Sequence, residues 1–367
     1  MGKRALIVSL SLGGGHGKAG EVVAAALREQ APGWEARCID LRDYMAPWLR
    51  LAYVTGYLFI IRRAPWLYGF LYRHPPSRKG GTLPRWMLRL GTRRFERLVR
   101  DVAPDVILAT QLTASEAVNA LRARGVYDGA AATAITDFDA HPTWRADHID
   151  RFFVPDDDIA ERLGGVGIPP ERIEATGVPI DPVFEQRFDA AALKAKHGVR
   201  PGVPVVLLMG GSLGLGSLEA AVRELLARGE PLDVLVVAGH NERLRDRLRA
   251  VEPSGQSRLH VFGFIDFVHE LMAVADAFVS KPGGLSMTEA MTIGVPTLVV
   301  APLAGQEQAN AAHLEAQGLV RCLQPGGSVA DAVATLLAEG RRPAGARRRS
   351  AHRIASRLIE LAEGVRS

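Results

Sequence analysis

Cysteine, long apolar runs and metal-ligand patterns are all scarce in this chain. Its two cysteines, Cys38 and Cys322, stand far apart in apolar surroundings. That excludes a disulfide-built fold and a CxxC metal or redox site, and predicts two buried free thiols in a reducing compartment. No HExxH pair occurs, and too few acids cluster near either candidate site to hold a metal, so neither metal nor cofactor is expected. No apolar run approaches the roughly 20 residues that a membrane-spanning helix needs. The first run, Ala5–Leu10, passes straight into Gly13-Gly14-Gly15-His16 without a small-residue cleavage site, so it reads as a first strand and not a leader. Aromatics amount to only 6% of residues, and acids are nearly missing from one stretch.

That stretch is where the aromatics concentrate. From Trp48 to Arg100, twelve Lys/Arg residues meet one acid, Glu96, although the whole chain carries a formal charge of only +5. Ten aromatics fall in the same segment, among them Trp66 and Trp86. Arginine mixed with Trp, Tyr and Leu is the composition of an interfacial segment, with rings at headgroup level and cations against anionic lipid. Two other readings compete. Some rings belong to an ordinary core, with Leu51–Ile61 as a buried helix, or the segment binds nucleic acid. No nucleic-acid fold signature accompanies it, so an anionic membrane surface is the expected partner and nucleic acid is not.

At 367 residues, with 47% apolar and 23% charged residues, the chain is an ordinary globular protein too long for one core. Apolar runs of strand length alternate with helix-period stretches from Arg4 onward. Such alternation predicts an α/β fold of parallel strands with helices on both faces. The breakers in Thr176-Gly-Val-Pro-Ile-Asp-Pro-Val-Phe184 mark a junction, after which the alternation restarts. The expected division is 1–178, 179–345 and a C-terminal helix over 346–367 that packs back on the first domain. Each domain is expected to be doubly wound and Rossmann-like, the two facing across a cleft.

Glycine turns at strand ends supply the candidate sites. Gly14, Gly15 and His16 close the first strand, and the histidine points where open parallel sheets bind ligands. Their spacing is not the dinucleotide fingerprint, and a helix-capping histidine is the competing reading. Thr136-Asp-Phe-Asp-Ala-His-Pro-Thr-Trp144 follows another strand end. There Asp137 can take a proton from a hydroxyl, with His141 close by; the competing reading is an Asx-turn with a solvated histidine. In the second half, Gly211, Ser212 and Gly214 form one turn, and Gly283 and Gly284 open a helix expected near Ser286. Bare glycines and helix N-termini can cradle a pyrophosphate. Glu289 is placed on that helix's first turn, and Gln306, Glu307 and Asn310 on a second polar loop, a pattern suited to a sugar nucleotide.

Together, Gly-Gly-Gly-His16, Thr-Asp-Phe with His-Pro-Thr-Trp144, Gly-Gly-Ser212, Lys-Pro-Gly-Gly284 with Thr-Glu289, and Gly-Gln-Glu307 through Asn310 resemble the lipid glycosyltransferases. More narrowly, they resemble the monogalactosyldiacylglycerol synthases and the processive diacylglycerol glucosyltransferases, over nearly the whole chain. The resemblance implies the glycosyltransferase B type of fold and an inverting, metal-independent transfer from a UDP-hexose to a diacylglycerol-type lipid. It further implies that Glu289 bonds the ribose, while Gln306, Glu307 and Asn310 hold the donor sugar. Gly211, Ser212 and Gly284 would lie at the pyrophosphate and the backbone around Phe264 near uracil. His16 and Asp137 are the candidate bases, and Gly14, Gly15, Trp66, Trp86 and Trp144 the acceptor or membrane side. The turn Gly-Gly-Ser-Leu-Gly-Leu-Gly216 departs from the diacylglycerol enzymes toward the N-acetylglucosaminyltransferase of lipid II synthesis, which bears on the acceptor. A UDP-sugar epimerase, or a non-catalytic binding protein on the same fold, is the other implied class. A peripheral place on the inner face of the cell membrane is expected.

Overall fold

In a computed structural model, residues 2–10, 14–74, 85–210, 218–341 and 349–364 are described. The chain forms two compact units. The first comprises 1–181, 303–306 and 347–367, and the second 182–302 and 307–346.

The first unit is built on a six-stranded parallel sheet in the order β2-β1-β3-β4-β5-β6. Its strands are β1 (Arg4–Ser9), β2 (Glu35–Asp40), β3 (Val106–Ala109), β4 (Ala130–Ala134), β5 (Arg151–Val154) and β6 (Ile173–Ala175). Central strands buried on both faces need apolar residues in unbroken runs, and Val-Ile-Leu-Ala in β3 supplies one. Leu6, Val8, Ile107, Ala109 and Phe152 point into one core. Their neighbours Ala5, Ile7, Val106, Leu108 and Phe153 point into the other. That second face is covered by the helices Gly15–Gln30 and Ser350–Gly364. Gly20 lets the first of these come close to β1, because a Cβ there would sit 2.9 Å from Ile7 Cγ2. On the last helix, Ala351, Ile354, Ala355, Leu358 and Ala362 bury one stripe, and Lys3 Nζ donates to the Ala362 carbonyl at 2.7 Å.

The second unit repeats the architecture with the strand order β12-β11-β10-β7-β8-β9. Here β7 is Val205–Met209, β8 Asp233–Val237, β9 Arg258–Phe262, β10 Ala277–Ser280, β11 Thr297–Val299 and β12 Arg321–Cys322. Every pairing in both sheets is parallel. In the first sheet the order reverses between β1 and β3, and in the second between β7 and β10. Open parallel sheets bind ligands beyond the carboxyl ends of the strands at such reversals.

Two expectations are corrected here. Neither cysteine is buried: Cys38 is exposed and Cys322 half-buried. The reason is topological, since β2 and β12 are both edge strands. The segment after Trp48 is not a buried helix either. It breaks into the short helices Pro47–Arg50, Gly56–Arg63, Pro65–Arg73 and Arg85–Gly91, with a π-helical turn over Leu51–Thr55. Leu51, Phe59, Trp66, Phe70 and Trp86 stand out to solvent, while Phe95 beyond them is wholly buried core. No helix among the described residues is long and apolar enough to cross a membrane.

Candidate functional site

In the first unit the site forms at the carboxyl ends of β1, β3 and β4. Gly15 begins the first helix, so His16 lies in its opening turn. Thr110, just past β3, donates through Oγ1 to the His16 carbonyl at 2.9 Å. Thr136, just past β4, lies 2.9 Å from His16 Nδ1 through Oγ1 and is almost fully buried. Thr136 thus fixes the imidazole and Thr110 the backbone that carries it, and the ring's Nε2 makes no hydrogen bond to a described residue. Asp137 follows Thr136 directly and is only 8% exposed. A nearly buried carboxylate one residue from the group that orients an imidazole can share a proton with an incoming hydroxyl.

His141 does something different. Its Nε2 lies 2.7 Å from the Tyr72 carbonyl, which only accepts, so this nitrogen carries the proton. Its Nδ1 then accepts from Thr143, at 2.7 Å from Oγ1 and 3.3 Å from the backbone N–H, and caps the turn Pro142–Trp144. With both nitrogens engaged, His141 is a turn-building residue and not a base; the tautomer is set by Tyr72. Trp144 is likewise corrected. At 6% exposure it belongs to the core with Ile149 and Phe152, because the turn that His141 caps swings its ring inward. Trp66 and Trp86 are 72% and 62% exposed, and Gly14 is exposed at the mouth of the site.

Sequence reasoning passed over the network behind this loop. Tyr72 donates its hydroxyl to Asp139, and its ring lies 4.3 Å from that of His141. Burial, and then the Asp139 carboxylate, hold the phenol far above its ordinary pKa, so it remains a donor. Arg162 faces the other Asp139 oxygen at 3.4 Å. Only the repeated acid in Thr-Asp-Phe-Asp hinted at this, since Tyr72 lies 67 residues away in sequence.

In the second unit, β10 runs into Lys281-Pro282-Gly283 beside the end of β7, at the reversal of strand order. Gly211, Ser212 and Gly214 lie outside the described residues. Gly283 is extended and the helix Gly284–Ile293 starts at once, ending at Gly294 with φ of 80°. Glu289 therefore sits in the second turn and not the first, because the helix begins two residues before Ser286. Leu285 is buried and anchors that earlier start. Gln306 and Glu307 are also relocated: they open the helix Gln306–Ala316 and are not in a loop. Both helix N-termini offer unpaired N–H groups to an anion.

Lys281, not singled out from sequence, adds a cation here. Its Nζ lies 3.1 Å from Glu307 Oε1. Asn310, 1% exposed, donates to the Pro282 carbonyl at 3.0 Å and so pins the glycine turn to the second helix. Beyond β9, Phe264 is 69% exposed and stacks on His240 with centroids 4.3 Å apart. The pair presents an aromatic surface past the ends of β8 and β9.

Comparison with known proteins matches both units. Residues 16–180 match the family described as monogalactosyldiacylglycerol (MGDG) synthase, and residues 205–360 the glycosyltransferase family 28 C-terminal domain. A processive diacylglycerol beta-glucosyltransferase of Bacillus licheniformis is 32% identical over 251 residues, 68% of this chain and 65% of the relative. The match thus spans a little under two thirds of that relative's length. Among solved structures, MurG of Acinetobacter baumannii superposes with a TM-score of 0.66 at 16% identity, covering 98% of this chain and 99% of that one. A UDP-GlcNAc 2-epimerase from Neisseria meningitidis bound to UDP-GlcNAc gives 0.61 at 13% identity, over 97% and 100% of the two chains. At those identities the likeness establishes the glycosyltransferase B type of fold and nothing of substrate.

Proposed function

Since this chain belongs to the family of the monogalactosyldiacylglycerol synthases and processive diacylglycerol glucosyltransferases, we propose that it transfers a hexose from a UDP-sugar to the hydroxyl of a diacylglycerol-type lipid. The transfer inverts the anomeric carbon and uses no metal. The enzyme works as a peripheral protein on the inner face of the cell membrane, and the sugar is glucose or galactose.

The observation that carries this reading is the His16–Thr136–Asp137 arrangement. His16 Nδ1 lies 2.9 Å from Thr136 Oγ1; in the tautomer whose Nδ1–H donates to that hydroxyl, Nε2 keeps its lone pair and can receive the acceptor's proton. Asp137, the second candidate, lies beside the same threonine. Either group deprotonates the lipid hydroxyl as it attacks the anomeric carbon, and the sugar–phosphate bond breaks on the opposite face. The departing UDP carries the charge. The turn at Gly283 and Gly284, the two helix N-termini and Lys281 suit that charge, as donors fixed before the reaction begins. Glu289 is assigned to the ribose, Gln306 and Glu307 to the hexose, and the surface at Phe264 to the uracil. Asn310 acts on the turn.

Purified protein given diacylglycerol-containing vesicles and UDP-glucose or UDP-galactose, with lipids read by mass spectrometry, tests the proposal. A lipid gaining one or more β-linked hexoses, equally in the presence of a chelator, is expected. Transfer only to a polyprenyl-linked acceptor, conversion of the UDP-sugar without transfer, or tight UDP binding with no turnover overturns it.

A further inference from the structure

Gln111 sits where β3 opens onto the site of the first unit. It follows Thr110 in extended conformation and caps the helix Leu112–Ala123 with its own side chain. The amide oxygen accepts from the Thr113 N–H at 2.7 Å and from the Ala114 N–H at 3.3 Å. These two donors fix which end of the amide faces the helix, since the amide nitrogen accepts from neither. Serine, threonine, aspartate and asparagine are the preferred caps, so the cap alone does not call for a glutamine.

What this side chain adds is an amide nitrogen with two N–H groups, turned away from the helix it caps. That nitrogen donates to no described residue. Gln111 as a whole is only 9% exposed. Yet the buried polar atoms without a partner among the described residues are Arg151 Nε, His260 Nε2 and Arg321 Nε. The Gln111 nitrogen therefore reaches solvent while the rest of its side chain is held. A donor ordered by its own cap and open on one side loses little freedom when a ligand oxygen meets it.

Its neighbours say which ligand. On one side Thr110 holds the His16 carbonyl at 2.9 Å, so the candidate base stands next to Gln111. On the other, Thr113, whose N–H the glutamine caps, lies 2.6 Å through Oγ1 from the Tyr53 hydroxyl. Tyr53 belongs to the π-helical turn Leu51–Thr55, in which Leu51 is 66% exposed. Base, amide donor, aromatic ring and exposed apolar surface thus follow one another. A diacylglycerol-type lipid carries its parts in the matching order: a hydroxyl, ester carbonyls that only accept, and acyl chains. We propose that Gln111 Nε2 donates to an ester carbonyl of the acceptor lipid and so selects diacylglycerols over their dialkyl ethers. The inference rests on the acceptor class proposed above.

The full chain titrated with dihexanoylglycerol and with its dihexyl ether analogue, each below the concentration at which it aggregates, tests this by calorimetry without any transfer assay. The ether keeps the hydroxyl and the chains and lacks only the carbonyls. The parent is expected to bind the ester about tenfold more tightly, in line with one hydrogen bond made or left unmade. Gln111→Ser and Gln111→Glu both keep an oxygen for the helix cap and lose the amide donors. In each, the preference for the ester is expected to fall to about one or below, while the thermal midpoint stays near that of the parent. A purely structural role lowers both affinities together and leaves their ratio unchanged. Preference for the ester retained in both variants, or absent from the parent, overturns the role of Gln111 and leaves the transferase reading to its own assay. A parent that binds a UDP-sugar but neither glycerol overturns the acceptor class, and this inference with it.

Discussion

At the scale of residues, two threonines decide what His16 can do. Thr136, just past β4, holds the imidazole and Thr110, just past β3, holds the His16 carbonyl, so the ring is oriented before any substrate arrives. Replacing a general base typically lowers rate about 10²–10⁴-fold. His16→Ala and Asp137→Asn are therefore expected to lower kcat by that order while the Kd for UDP, read by calorimetry, stays near the parent value. The pH–rate profile then separates them, since only the variant lacking the true base loses the acidic limb. His141→Ala acts by another route. It removes a cap and a hydrogen bond to the Tyr72 carbonyl, so its defect appears as lowered thermal stability together with lowered kcat, with the acidic limb intact. Ala301 holds a left-handed φ of 44° at the exit of β11, where a Cβ costs about 1–2 kcal/mol. Glycine there is expected to stabilise the fold by less than about 1 kcal/mol, because it also frees the unfolded chain, and to raise the KM for the UDP-sugar by loosening the path to Gln306.

At the scale of elements, alternation along the chain was enough to read five strands of each sheet, while the edge strands β6 and β12, three and two residues long, are too short to show as apolar runs. Runs such as Val205–Met209 can only be buried strands when helices must cover both faces. The glycine turns were legible for the same reason, because a β–α unit puts its turn at the ligand-binding edge. What escaped is what depends on partners distant in sequence. A tryptophan after a polar loop reads equally well as surface or core, and only the turn capped by His141 sends Trp144 inward. The helix at Gly284 began early because burial of Leu285 outweighed the weak helix propensity of Gly284. Two elements carry tests of stability. Leu358 is fully buried on the last helix against the first sheet, so Leu358→Ala is expected to cost about 2–5 kcal/mol in denaturant unfolding. On β9, burial pushes His260 below its ordinary pKa of 6.5, and its Nε2 has no hydrogen-bond partner among the described residues. Below pH 6.5 the unfolded chain then binds the proton more readily than the folded one. Stability is expected to fall as the pH drops through that window and to level off below the folded pKa. His260→Phe should flatten this part of the curve in urea titrations across pH.

At the scale of the whole molecule, charge and exposed aromatic surface are gathered in one segment. Apart from Phe264, the exposed large hydrophobic side chains of the described residues all lie between Trp48 and Leu90. Vesicle binding is therefore expected to weaken with salt through the arginines, and Trp66→Ala with Trp86→Ala to weaken it at every salt concentration. Catalysis on a short-chain, water-soluble diacylglycerol by that double variant should be nearly unchanged, if those rings serve only to seat the enzyme.

One small contact gives the segment a second office. The helix Pro65–Arg73 turns Trp66, Phe70 and Leu71 outward, while Tyr72 reaches inward to Asp139 and His141, two and four residues from Asp137. The helix proposed to meet the lipid and the loop that bears the candidate base are thus joined through Tyr72. On the proposed function these contacts make an interlock, in which a helix released from the membrane shifts and carries the base with it. Tyr72→Phe should uncouple the two, lowering kcat on vesicles toward the rate on dispersed substrate while leaving vesicle binding intact. A parent protein equally fast on vesicles and on dispersed lipid would show that no such interlock exists.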